Sequence, residues 1–155
     1  SVTYNLVKSH EGDISFETQE TKGTTFTVSF PTRLRERIFK ILVAEDEELN
    51  WLFIREMLRQ AGATIHRAKN GFEVVKMTRK LSPDAILMDI KMPELGGIEA
   101  ARKIRAFNTK VPIIAQSAFV MTEEKEESLR AGCNHFVTKP LDRTTIMELI
   151  DSYFK

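Results

Sequence analysis

The sequence predicts an α/β protein: a doubly wound, five-stranded parallel sheet in the order 2-1-3-4-5, with an N-terminal β-hairpin attached. Three observations lead to it. From Lys40 onward, short apolar runs alternate with stretches of helical periodicity. Four of those runs end in a polar residue of a distinct kind: Glu45-Asp46, Asp89, Ser117 and Lys139. Residues 1–33 instead alternate at period two and are rich in threonine.

In chain order, Tyr4 to Lys8 reads as a short helical turn. Ile14-x-Phe16 and Phe26-x-Val28-x-Phe30 are the two runs of the hairpin, with Lys22-Gly23 between them and Pro31 as a stop. So small a hairpin cannot bury its one apolar face alone. It must dock on something, pair with a second copy, or stay partly exposed. Residues 34–39 form a charged joint. Ile41-Leu42-Val43-Ala44 is the first sheet strand. Glu48 to Ala61 is helical, with Leu49, Leu52, Phe53 and Met57 assigned inward and Gly62 as a stop. Thr64 to Ala68 is a weaker strand. Gly71 to Leu81 is a helix with Val74, Val75, Thr78 and Leu81 inward, ended by Ser82-Pro83. The run ending at Asp89 is the third strand, and Gly96 to Phe107 a helix with Ile98, Ala101 and Ile104 inward. Val111 to Gln116 is the fourth strand. Thr122 caps a polar helix through Ala131, stopped by Gly132. His135 to Thr138 is the fifth strand, and Asp142 caps a last helix in which Ile146, Leu149, Ile150 and Tyr153 recur at helical spacing.

Composition narrows the function classes. The 155 residues suffice for one ordinary domain, and 42% hydrophobic with 29% charged residues is the balance of a soluble globular protein. A net charge of +1 without a basic block argues against nucleic acid as a partner. No apolar run is long enough to span a membrane, so no membrane contact by this segment is expected. One cysteine, Cys133, cannot form an internal disulfide and suits a reducing, cytoplasmic location. A first residue of Ser rather than Met suggests a piece of a longer chain.

In a doubly wound sheet, function gathers at the carboxyl ends of the strands. Glu45, Asp46 and Asp89 would share one crevice there. At about 4 Å and an effective dielectric of about 20, each pair of such charges repels by roughly 4 kcal/mol. A divalent cation relieves this, and an oxygen-only ligand set that must also hold phosphate favours Mg²⁺. Its expected ligands are Glu45, Asp46, Asp89 and the main-chain carbonyl of Lys91. Asp89 is the expected nucleophile toward a phosphoryl group, with Lys139 and Ser117 meeting the phosphoryl oxygens. Pro140 suggests a cis bond that aims Lys139. Small Ala118 leaves room for a donor, and Trp51, Ile54 and Leu58 are assigned to a free, apolar helix face. His66, His135 and Cys133 read as ordinary packed or surface residues, and His10 lacks the context of a phosphoacceptor.

Residues 40–155 resemble a receiver (response-regulator) domain of two-component signalling. The resemblance rests on Ile41 to Asn50, Met88-Asp89-Ile90-Lys91-Met92-Pro93, Pro112 to Ala118 and Ala131 to Leu141, in order and spacing. It implies a flavodoxin-like fold, Asp89 as the acceptor of phosphate from phosphohistidine, Glu45 and Asp46 as Mg²⁺ holders, and Ser117 with Phe136 as a switch. Departures are mild: Glu45 replaces the first Asp of the usual pair, Gly96 stands where Asp is frequent, and Ser117 replaces Thr. Leu6 to Ile14 and Gly23 to Pro31 look like the end of a histidine-kinase ATP-binding domain. That layout resembles a hybrid histidine kinase, with residues 1–33 as the kinase remnant, 34–39 as linker and 40–155 as receiver. The family's ATP-site boxes lie upstream of this segment, so it is expected only to self-phosphorylate and slowly self-dephosphorylate at Asp89. The implied partners are a phosphohistidine donor and a histidine phosphotransfer protein, and the parent kinase could be anchored in a membrane. An aspartyl-phosphate phosphohydrolase and an unphosphorylated interaction scaffold are the alternatives.

Overall fold

The protein is described by a computed structural model covering residues 4, 5, 7, 13–29 and 38–154. It divides into two compact units, one up to Arg37 and one from Ile38.

In the first unit, strands β1 (Asp13–Gln19) and β2 (Gly23–Ser29) pair antiparallel, from Asp13 opposite Ser29 to Gln19 opposite Gly23. The reversal falls on Glu20–Lys22, and Gly23 opens the second strand at φ +96°, a conformation glycine adopts without steric cost. Phe16 faces Phe26 across the pair, ring centres 6.2 Å apart, and both residues are about two-thirds exposed (70% and 67%). Tyr4, Asn5 and Val7 are helical, as the expected turn requires. Lys8, His10, the stop at Pro31 and linker residues 34–37 lie outside the described residues.

The second unit is the expected sheet. Strands β3 (Lys40–Ala44), β4 (Thr64–Ala68), β5 (Ala85–Asp89), β6 (Ile113–Ser117) and β7 (His135–Thr138) lie parallel in the order β4-β3-β5-β6-β7. Helices α1 (Glu48–Arg59), α2 (Gly71–Leu81), α3 (Gly97–Arg105), α4 (Thr122–Arg130) and α5 (Arg143–Phe154) connect and close them. Side chains alternate along each strand, and two cores follow. Leu42, Ile86, Met88 and Ile113 pack with Val74 of α2 and Ala100, Ala101 and Ile104 of α3. Ile41, Val43, Leu87 and Ile114 pack on the other face with α1 and α5, through Ile54, Leu58, Ile146 and Ile150. The central strands β3, β5 and β6 are almost wholly buried because both faces are covered. Cys133, just before β7, is buried in the first core, and burial pushes its thiol up to about 11.

Local signals place the helix ends. Asn70 caps α2 by accepting the Glu73 N–H, and Glu73 reaches back to the Lys69 N–H. Asp142 accepts both the amide and the hydroxyl of Thr145 at the start of α5. Two expectations are corrected. Thr122 is the first residue of α4 rather than its cap; Met121 is the cap residue, and no side chain caps this helix. On α1, Ile54, Met57 and Leu58 are the buried residues, whereas Leu49, Leu52 and Phe53 are exposed. Ile54 and Leu58 therefore belong to the core, not to a free face. Apolar residues run round more than half of this helix, so two stripes satisfy helical spacing and only the direction of the chain leaving β3 chooses between them.

Candidate functional site

The strand order puts β3, β5 and β6 side by side, with Asp89 opposite Gln116 and Ser117 opposite Thr138 at their carboxyl ends. Glu45 follows β3, Asp89 ends β5, Ser117 ends β6 and Lys139 follows β7. The loops are tied to neighbouring strands: Ile90 N–H donates to Gln116 O at 3.0 Å, and Lys139 N–H to Ser117 O at 2.8 Å. The Lys139–Pro140 peptide is cis, as expected.

Lys139 Nζ donates to Glu45 Oε2 and to Asp89 Oδ2, each at 2.8 Å. Both carboxylates are buried. Asp89 Oδ1 accepts the Lys91 N–H at 3.1 Å. Burial pushes the Asp89 carboxyl up to about 6, with Glu45 adding to the rise and Lys139 opposing it. For Lys139, burial works against the charged form, but its hydrogen bonds to Asp89 and Glu45 prevail and raise its pKa. The residues selected by sequence thus meet: one carboxylate oxygen from each of Glu45, Asp46 and Asp89 lies within 4.8 Å of the others, with Asp46 on the exposed side. This donor set fits a hard cation. Its atoms are all oxygen, two of the carboxylates are buried around an ammonium already, and the third faces water.

Ser117 is buried at the same rim, but its hydroxyl donates to Glu124 Oε2 at 3.0 Å. Phe136 is half-buried against the first core and lines an open cleft with Val120, Lys125, Thr138 and Asp142. Gln116 is fully buried: its Nε2 lies 3.4 Å from Glu45 Oε2 and its Oε1 has no partner. A cleft of about 150 Å³ opens beside it, lined by Asn50, Phe53, Ile54, Lys139, Pro140 and Leu141.

Sequence reading missed three contributors. Arg67, on β4, donates to the main-chain oxygens of Glu45 at 3.0 Å and Asp46 at 3.2 Å, and pairs with Glu48 at 2.6 Å. It fixes the backbone that presents the acid pair. Gly97 lies so close to Asp89 that an added Cβ would sit 2.1 Å from the Asp89 carbonyl oxygen. Glu124 engages Ser117 and, through Oε1, Lys91 Nζ at 3.3 Å. Only Gly97 carried a local signal, as the second of two glycines opening a helix.

The family model of the response regulator receiver domain matches residues 41–151. The autoinducer 2 sensor kinase/phosphatase LuxQ of Vibrio parahaemolyticus is 30% identical over 96% of the chain, which spans 20% of that protein. Among solved structures, the receiver domain of sensor histidine kinase PA1611 from Pseudomonas aeruginosa, with magnesium coordinated in its cleft, is 34% identical. It superposes with a TM-score of 0.71 over 75% of this chain and 97% of its own. The receiver domain of Ssk1 from Saccharomyces cerevisiae, crystallised with the histidine phosphotransfer protein Ypd1, is 30% identical with a TM-score of 0.70, covering 75% of this chain and 88% of its own.

Proposed function

This chain belongs to the response regulator receiver domain family of two-component signalling, and from that premise we propose that Asp89 is its phosphoacceptor, charged from phosphohistidine within a hybrid histidine kinase. The observation that carries the reading is the Lys139 ammonium, 2.8 Å from both Glu45 and Asp89. An Asp89 oxygen attacks phosphorus, the nitrogen–phosphorus bond breaks, and the imidazole leaves with the electron pair and takes up a proton. Lys139 meets one developing phosphoryl oxygen, and Ser117 turns toward another. Later attack by water on the acyl phosphate returns the carboxylate and inorganic phosphate. Glu45, Asp46, Asp89 and the carbonyl of Lys91 would hold Mg²⁺, which when bound offsets the negative charge gathered on the phosphoryl oxygens. The space Ser117 leaves on turning admits the Phe136 ring, which makes those two residues the switch.

The kinase relative supports the wider layout. Its match takes in more of the chain than residues 40–155 alone can fill, so it extends into the hairpin unit. We read residues 1–33 as the end of a kinase ATP-binding domain and 34–39 as a linker. The Ssk1–Ypd1 complex supports a histidine phosphotransfer protein as the onward acceptor. Position 91 favours this reading over a phosphohydrolase: such enzymes carry a second Asp there, whereas Lys91 points its ammonium at Glu124.

Incubation with acetyl phosphate and Mg²⁺ is expected to add the mass of one phosphate to the native chain and none to Asp89→Asn. A gain of mass by both would refute Asp89 as acceptor. Titration with ATP is expected to show no binding, because the segment holds none of the nucleotide boxes of the kinase family; micromolar affinity would contradict the reading of residues 1–33.

A further inference from the structure

Glu124 is the third residue of α4. A carboxylate at that position commonly turns back onto the free N–H groups of its own helix. Here no side chain caps the helix, and both carboxylate oxygens are engaged elsewhere. Oε2 accepts the Ser117 hydroxyl at 3.0 Å, and Oε1 lies 3.3 Å from Lys91 Nζ. The same ammonium sits 4.7 Å from the centre of the Phe119 ring, two residues beyond Ser117. The β5–α3 loop, the end of β6 and the first turn of α4 therefore meet at one side chain.

The contact bears on phosphoryl acceptance because a serine hydroxyl has one proton to donate. Given to Glu124, that proton is not available to a phosphoryl oxygen on Asp89. The acceptor is a carboxylate, and hydrogen bonds to ionised groups are the stronger kind. The Glu124 side chain is only 21% exposed, so water competes with it weakly.

We propose that Glu124 is a positioning residue for phosphoryl acceptance: it restrains the Ser117 hydroxyl and the Lys91 ammonium against α4 until a group on Asp89 draws Ser117 away. This rests on the reading of Asp89 above. It makes the Ser117 movement and the release of α4 one event, and it sets the equilibrium between restrained and engaged Ser117 within this chain.

The test is the affinity of the whole chain for beryllofluoride, a tetrahedral analogue of the phosphoryl group, in the presence of Mg²⁺. Glu124→Ala is expected to tighten binding by roughly three- to tenfold, the size of a typical net hydrogen bond. Glu124→Gln keeps an acceptor for Ser117 but loses the ion pair, and is expected to fall between Glu124→Ala and native. On a Ser117→Ala background, Glu124→Ala is expected to change affinity by less than about twofold, because the shared hydrogen bond is already gone. Equal affinity of native and Glu124→Ala would overturn the proposal. So would a gain that persists undiminished on the Ser117→Ala background, which would indicate bare charge repulsion. Should Glu124→Ala melt early, the Glu124→Gln comparison carries the test on its own. A native chain that neither binds beryllofluoride nor takes phosphate from acetyl phosphate removes the Asp89 reading and this one with it; phosphorylation with no Glu124 effect removes only this one.

Discussion

At the scale of single residues, Asp89 carries the sharpest consequence. Burial lifts its carboxyl from the ordinary 3.8 to about 6, so between those values the folded chain holds a proton that the unfolded chain has released. This contribution to stability falls as pH rises through that window. At about 1.4 kcal/mol per pKa unit, the loss is on the order of 3 kcal/mol. In EDTA, Asp89→Asn is therefore expected to melt above native at about pH 7 and to lose that advantage toward about pH 4. Thermal unfolding across the range checks it, and a pH-independent difference would contradict it. At this scale the sequence was partly legible. Glu45, Asp46, Asp89, Ser117 and Lys139 could be picked out because each closes an apolar run. Arg67 and Glu124 could not: each matters through partners on other elements, and a charged residue in a strand or a helix first turn has an adequate local explanation.

At the scale of elements, α1 separates pattern from placement. Its existence and start follow from periodicity, and it ends at Arg59, two residues short of the expected Ala61, but the buried stripe does not follow, because both candidate stripes share Met57. Leu58→Ala is expected to cost about 2–5 kcal/mol, as for a filled core position. Phe53→Ala is expected to stay within about 1 kcal/mol. Urea unfolding of the two variants decides between the faces. The start of α3 is constrained differently. Gly97→Ala would press a methyl into the Asp89 carbonyl, which a backbone hydrogen-bonded on both sides cannot easily yield. A loss of roughly 1–3 kcal/mol in stability is expected. Slower phosphorylation than in a surface control such as Arg130→Ala should accompany it, read by melting and by mass.

At the scale of the whole molecule, the strand order was legible because βαβ units have one hand and few arrangements. The hairpin was legible as a hairpin but not in its surroundings, since its register is local while its partners are not. The unit from Ile38 contains both packed cores and every residue of the candidate site. A chain beginning at Ile38 is accordingly expected to melt cooperatively and to accept phosphate at the native rate; a broadened melt or a lost acceptor would refute that independence. The buried cysteine gives this unit a further use. With its thiol held protonated until about 11 and shut inside the first core, Cys133 meets an alkylating reagent only when the sheet opens. Pulse labelling then acts as an internal clock for rare excursions from the native state, one that magnesium and phosphate should slow in proportion to how tightly each is held.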